Sequence, residues 1–576
     1  MSTTSSGRPA GRPGRSPRAA SAARAASAAR AARATTPARA ALGALATVTL
    51  AAGCAAGSPA AAGGGTGEPQ DGGDIVFLID SLGDTWIPNN SSISSFQGHI
   101  WGHVTDKLVY VDAEGEVSPW VAESWEQNDD ATQFTLHLKD GVTFSDGAPV
   151  DAEAVVENLD TWAFGAPDAG INPVGLFPKT YDHAEAVDET TVEVHFDAPT
   201  LGFVPTLGYH GSILISPETL ALPAEDQADL SNDVGSGPFV VESWKEGDSV
   251  VLTKREDYDW GPEAVGHTGP AYLDTITYKL VAESSTRTGA VQSGQADVAY
   301  NATPQELDSF KDQGFTVDVP RYLGFVNGYR LNTQVAPFDD PAVRQAFQHG
   351  IDRDEILSTV YTEDWSAAET LIQSNVPEAT DHSDAFAYDP ELAASALDDA
   401  GWKEGADGVR TKDGEPLELT LYPNPYLATS KAIDELVAQQ LGELGFSVDI
   451  QAYDVVTFGE RVSGNASLSN YEVTRSFIDV GTVASILTDA ENGEDWFGLG
   501  QSDPRTNELR DAVAQATDLD ERAKVVDELQ EHLLEEAYFA PVTQIVQRIY
   551  VSNPKLHDIT YNGVAYASYY TAWLES

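Results

Sequence analysis

The chain has 576 residues, with 90 acidic against 33 basic side chains and a formal net charge of −57. Nucleic-acid affinity is built from Lys and Arg, so a chain this acidic is not expected to bind phosphate backbones. A hydrophobic content of 41%, with 11 Trp, 21 Tyr and 20 Phe, suffices for packed interiors. The length exceeds what one core supports and implies two or three lobes.

The first forty residues carry eight arginines and no acid, and Ala41 to Gly53 is an apolar run ending Leu50-Ala51-Ala52-Gly53-Cys54. A basic head, a short apolar segment and small residues before a cleavage point form the layout of a secretory signal. The run is too short to span a bilayer. Cys54, the only cysteine, stands where bacterial lipoprotein signals place the first mature residue, and the segment resembles them. Ala51 departs from the leucine usual three places before the cysteine, with Leu50 one step further back. The resemblance implies acylation of the Cys54 thiol, so residues 1–53 read as signal and 54–73 as a flexible tether of Ala, Gly, Ser and Pro. The alternative is an alanine-rich disordered head with a chance cysteine. Loss of eight of the 33 basic residues leaves 25 against 90 acidic, a net of −65. That charge reads as a solubilising surface and names no solute.

Asp74 to Ile79 is a short apolar run and predicts a buried strand, and Trp101 to Val111 mixes helix and strand character. Phe134, Leu136 and Leu138 alternate with polar residues, as do Val192, Val194 and Phe196, and both patterns predict half-buried strands. Between them, Ala152, Val155, Val156 and Leu159 share a helical face that Asp151 would cap. Gly235-Ser-Gly-Pro238 is a turn cluster, followed by expected strands at Phe239–Trp244, Val250–Lys254 and Ile276–Val281. A helix over Thr286 to Ser293 and a short strand at Ala296 to Ala299 lead into Tyr300-Asn301. Asp340-Pro341 and Asp389-Pro390 each predict a helix start, since proline in the first turn sacrifices no intrahelical donor. Ile433, Leu436, Val437, Leu441 and Leu444 line another helix, Val448 and Ile450 a strand, and a long helix runs from about Asp520 to Glu536.

Several local signatures then fall in one order. They are Val117-Ser-Pro-Trp-Val-Ala-Glu-Ser-Trp125, Phe134 through Phe144-Ser-Asp-Gly147, Gly235-Ser-Gly-Pro-Phe239, Gln292-Ser-Gly-Gln-Ala-Asp297, Leu331-Asn-Thr through Ala346 and on to Gly350-Ile-Asp-Arg353, and Tyr388-Asp-Pro through Trp402. In this order they resemble extracellular solute-binding proteins of ABC importers, family 5, which includes dipeptide, oligopeptide and nickel binders. The resemblance covers about residues 74–576. It implies an α/β fold of the two-lobed, type II periplasmic-binding-protein kind, with hinge strands and an extra domain inserted in the first lobe. Lobe I would take residues 74–111, 231–327 and 546–576, the insert 112–230, and lobe II 328–545. Phe144-Ser-Asp-Gly and Leu331-Asn-Thr read as turn and strand-edge scaffold.

The implied mechanism is capture of a small organic solute, a peptide or similar, between lobes that close on hinges. The loaded form would dock on a membrane permease served by its ATPase. The partners expected are therefore solute, permease and, through the lipid, the membrane. The receptor is expected as a monomer at the extracytoplasmic face of the cell membrane. By the resemblance, Tyr300 and Asn301 occupy the aromatic and amide positions of the peptide site; packing of Tyr300 between lobes is the alternative. The segment Arg475-Ser-Phe477-Ile-Asp479 stands where peptide binders carry an aspartate that captures the solute's α-ammonium. Asp479 matches that acid, while the usual tryptophan region, second acid and proline are missing. A cap, or a salt bridge to Arg475, is the competing role for Asp479. Phe96, Gln97 and His99, on a loop after the first strand, are candidate contacts from lobe I.

No Gly-x-Ser-x-Gly or Cys-x-x-Cys occurs, and Ile100 stands where a zincin helix beginning at His99 would need Glu. No catalysis, cofactor or metal is expected. A glycan, metal chelate or siderophore-like solute is the second reading, and an extracytoplasmic hydrolase or scaffold on the same fold the third.

Overall fold

The computed structural model describes residues 67–83, 85–92, 96–405, 407–462, 468–481, 484, 503–544 and 548–576. The expected signal segment, Cys54 and the start of the expected tether lie outside the described residues. The end of that tether is packed rather than loose. Gly67 lies against the Trp573 ring and Gly73 against Leu574, and the Gly72 amide donates to the Tyr272 carbonyl at 2.8 Å.

The first lobe is built on a seven-stranded mixed sheet. Its order is Thr316–Asp318, Tyr550–Ser552, Val298–Tyr300, Asp74–Ile79, Thr275–Leu280, Ser249–Lys254 and Phe239–Lys245. Asp74–Ile79 runs parallel to both neighbours, pairing Phe77 with Tyr278 on one side and with Val298 on the other. Parallel strands are covered on both faces, which is why this strand is a continuous apolar run with Ile75, Phe77, Leu78 and Ile79 all buried.

The inserted segment forms a four-stranded antiparallel sheet in the order Ala122–Gln127, Gln133–Leu138, Thr191–Phe196, Tyr181–Ala186. Phe134, Leu136, Val192 and Val194 are buried, while Thr135 and His137 are half-buried. This is the alternation expected of a sheet covered on one face. Helix Ala152–Phe164 packs on it, and the Asp151 carboxylate accepts from the Ala154 amide at 2.9 Å. Such a cap contributes about 1 kcal/mol. The two edge strands, Ala122–Gln127 and Tyr181–Ala186, carry exposed Glu and Asp and lack the apolar alternation that marks the inner pair.

The turn Phe144–Gly147 joins insert to first lobe. The Ser145 amide donates to Gly235 O at 2.9 Å, and Arg255 reaches Thr143 O at 2.8 Å and Phe144 O at 3.0 Å. Gly235 and Gly237 lie so close to the backbone of residues 103–105 that neither leaves room for a Cβ. Both motifs are scaffold.

The second lobe carries strands Asn470–Val473, Asn327–Leu331 and Phe539–Thr543 in that order, and a parallel pair Glu418–Leu421 and Ser447–Ile450. The Asn470 side-chain amide, donating to Thr420 O at 2.7 Å, ties the two groups together. Helices Pro341–His349 and Pro390–Asp399 begin as expected, with Asp340 accepting from the Ala342 amide at 3.0 Å and Asp389 from that of Leu392 at 2.8 Å. Helix Ser430–Glu443 packs its Ile433, Val437 and Leu441 into the same core.

Inside this lobe lie two acids that no cation of the described residues faces. Asp434 accepts from the Tyr329 hydroxyl, and Glu472 accepts from the Asn327 side-chain amide at 2.7 Å; each keeps one oxygen without a partner. Burial raises both carboxyl pKa values, and the field of Glu472 raises that of Asp434 further. A raised folded pKa means that stability is fully present below the ordinary carboxylate range and is lost as pH rises through the raised values. Urea unfolding should therefore show a lower midpoint at pH 8.5 than at pH 5.5. Asp434→Asn should narrow that gap, and an unchanged gap would contradict the assignment.

Candidate functional site

The chain crosses between the two large sheets twice, after Asp318 and after Thr543. Tyr322 lies on the first crossing and Arg548 on the second. The Arg548 guanidinium sits 4.3 Å from the Tyr566 ring centroid and 5.7 Å from that of Tyr322. All three residues are buried, Arg548 at 3% exposure. The Tyr566 hydroxyl hydrogen-bonds the guanidinium, but Nε and Nη1 of Arg548 have no partner among the described residues.

Other groups converge on this point. Tyr300, from the first lobe, lies within electrostatic range of Arg548 and Tyr566. Tyr209, from the insert, lies within range of Arg475, Tyr566 and Arg548. Burial pushes the hydroxyls of Tyr300 and Tyr209 up, so both remain neutral donors at physiological pH. First lobe, insert, second lobe and both crossings therefore contribute to one aromatic, cationic junction.

The expected contacts from the first lobe fall around it unequally. His99 is fully buried and lies within helix Gly98–Val104, not on a loop. Its ring stands edge-on to Tyr300 at 4.5 Å and Tyr566 at 4.7 Å, and Nε2 is 2.9 Å from the Tyr550 hydroxyl. It supports the site from below. Gln97 donates to Thr85 O and packs under Gly83, while Phe96 offers its carbonyl to His99 Nδ1 at 3.3 Å. Asn301 adopts a left-handed backbone (φ 59°), which Asn tolerates better than most residues. Its amide side chain donates to Asp80 at 2.9 Å, and Arg287 binds the carbonyls of Tyr300 and Asn301 at 2.9 and 3.1 Å. These bonds fix the turn that aims Tyr300.

The second-lobe segment pairs with the first crossing. Phe325 N donates to Arg475 O at 2.9 Å, and Phe477 N to Leu323 O at 3.0 Å. Phe477 is 1% exposed and meets Phe325 edge-on at 5.1 Å. Asp479 does not pair with Arg475, the partner considered from sequence. Its Oδ1 accepts from Arg522 Nη1 at 2.8 Å, and Arg522 Nη2 reaches Glu378 at 2.6 Å. Gly202 of the insert lies against the Asp479 carboxylate with no space for a Cβ. Burial opposes the charge of Arg522, but the two carboxylates outweigh it and its pKa is raised.

The chain distance from Asp479 hid this partner, yet a signal was present. Arg522 lies on the buried face of helix Leu519–Glu535 with Val526, Leu529 and Leu533, where an arginine demands a buried acid. Tyr209, Tyr322, Arg548 and Tyr566 were missed because four distant segments supply them. Only Arg548, just before the apolar strand at Tyr550, carried a comparable sign.

The central part of the chain, residues 116–495, matches the model of the bacterial extracellular solute-binding proteins, family 5. The glutathione-binding protein GsiB of Escherichia coli (strain K12) is 26% identical over 392 residues, covering 68% of this chain and 72% of its own. Among solved structures, NikA from Brucella suis in complex with Fe(III)-EDTA superposes with a TM-score of 0.75 at 24% identity, covering 87% of this chain and all of that one. The oligopeptide-binding protein AppA from Bacillus subtilis, in complex with a nonapeptide, gives 0.72 at 20% identity, with 88% and 100% covered. The chain belongs to family 5 of the bacterial extracellular solute-binding proteins. It is the solute-binding component of an ABC importer, and among the described residues no helix is long and apolar enough to cross a membrane.

Arg522→Ala would remove the cation shared by buried Asp479 and half-buried Glu378. A loss of about 3–5 kcal/mol is expected, read from urea unfolding. Asp479→Asn, which leaves the Glu378 pair standing, should cost clearly less, and equal costs would contradict the shared-cation arrangement.

Proposed function

We propose that the receptor captures a peptide or a similar small organic solute at the junction of Tyr300, Tyr209, Arg475 and Arg548, and that the lobes close over it. The observation that carries this reading is the convergence of three structural units and both crossings on one aromatic site. Relative motion of the lobes about the crossings would build or break such a site, and a solute that fits only the closed form drives closure. AppA with its nonapeptide and GsiB with glutathione support a peptide or peptide-like solute. NikA with Fe(III)-EDTA supports a second reading, a metal chelate, which the arginines of the junction also suit.

The proposed division is lobe I at 74–111, 231–327 and 546–576, an insert at 112–230 and lobe II at 328–545. Asp479 is proposed to hold insert and second lobe together through Arg522 rather than to meet the solute's ammonium. The role proposed for the receptor is binding without chemistry on its cargo, with delivery by a monomer to a permease and its ATPase.

Thermal unfolding of the full chain against mixed di- to pentapeptides, glutathione and Fe(III)-EDTA tests the solute. A ligand at 100 times its Kd adds about 2.7 kcal/mol, so a rise of several degrees is expected for a true ligand. No rise with any probe would contradict the reading.

The N-terminal layout supports anchoring by a lipid on Cys54. Growth with labelled palmitate should label the wild type and leave Cys54→Ser unlabelled and released from the membrane; an unlabelled wild type would refute the anchor.

A further inference from the structure

We propose that the outer face of the inserted sheet binds a divalent transition cation of the zinc kind, through His195, Glu185 and Glu193. The site shares no residue with the junction and stands apart from the solute reading.

Side chains two residues apart share one face of a strand. His183-Ala-Glu185 and Glu193-Val-His195 therefore each present an imidazole and a carboxylate on one face. The two strands are antiparallel, with His183 opposite His195 and Glu185 opposite Glu193. Val192, Val194 and Phe196 fill the buried side, which leaves these four groups on the solvent side. Like charges directly opposite one another destabilise a strand pair. The only ion-pair partner of Glu185 and Glu193 among the described residues is His195.

His195 Nε2 lies 3.9 Å from Glu185 Oε1 and 3.8 Å from Glu193 Oε2, and the three ligand atoms fall within 4.8 Å of one another. Nε2 is shielded from solvent, yet it has no hydrogen-bond partner among the described residues. His183, His382, His532 and His557 behave differently, each bonding a carboxylate at 2.7 to 3.4 Å. A ring nitrogen flanked by two carboxylate oxygens, neither near enough to bond, leaves space between the three for an ion. A tetrahedral zinc ion about 2.0–2.1 Å from each ligand sets them about 3.4 Å apart, so closure takes about half an ångström. Exposed Glu185 can make that movement, while Gln133 Nε2 holds Glu193 Oε2 at 3.1 Å.

The His183 ring stacks on that of His195 at 4.6 Å, and its Nδ1 is 2.8 Å from the Asp182 carboxylate. An ionised carboxylate only accepts, so His183 Nδ1 carries the proton and Nε2 keeps its lone pair. A carboxylate behind an imidazole is the usual support of a metal-binding histidine. His183 is thus the nearest fourth ligand. Imidazole with carboxylates suits zinc and its neighbours, whereas calcium and magnesium take oxygen ligands. Among the described residues no other three His, Cys, Asp or Glu side chains offer ligand atoms this close together.

The test titrates the chelator-stripped full chain with zinc chloride by calorimetry, and one saturable site per chain is expected. Loss of even a supporting partner costs a metal site about tenfold or more, so His195→Gln and Glu185→Gln should each weaken binding at least tenfold. Cobalt(II) in place of zinc should give the visible absorption of a four-coordinate site in the wild type and not in His195→Gln. Both substitutions lie on the solvent face, and metal-free unfolding midpoints equal to the wild type's are expected of them. Wild-type affinity in His195→Gln would overturn the site. So would the absence of saturable zinc binding by the wild type, a result that needs no variant to fold.

Discussion

Arg548 is a full charge almost without solvent, with the Tyr566 and Tyr322 ring centroids 4.3 and 5.7 Å away, where the chain passes from one sheet system to the other. A buried cation tolerates few arrangements, because each donor and each face must be met by something. Rings from the first crossing and from the C-terminal segment lie beside it. This constraint orders the neighbourhood. Tyr300 is aimed by Arg287 and Asn301, His99 props it from below, and Tyr209 and Arg475 bring in the insert and the second lobe.

A second charge cluster performs a different task. Asp479 and Glu378 are both bonded to Arg522, and Gly202 closes over Asp479. A peptide's ammonium would have to compete with a guanidinium already in place, at a cost that a neutral or anionic end of the solute avoids.

Local physics was legible in the sequence wherever one segment decides its own structure. Asp151, Asp340 and Asp389 cap the helices their positions announce, and the run from Asp74 to Ile79 is the doubly covered strand that its unbroken hydrophobicity implies. The polar edge strand Tyr181–Ala186 was illegible because its pairing with Thr191–Phe196 supplies what its side chains do not. The site was half legible. Tyr300 and Arg475 were visible through local motifs, whereas Arg548, Tyr209, Tyr322 and Tyr566 meet only after the chain has crossed the lobes. The partner of Asp479 was misassigned for the same reason, since proximity in sequence favoured Arg475 and the fold delivered Arg522.

The central claim is that solute binds at this junction. A crystal structure of the full chain grown with the free tripeptide mixture tests it most directly. The account predicts solute density enclosed by Tyr300, Tyr209, Arg475 and Arg548. Solute density elsewhere would contradict it.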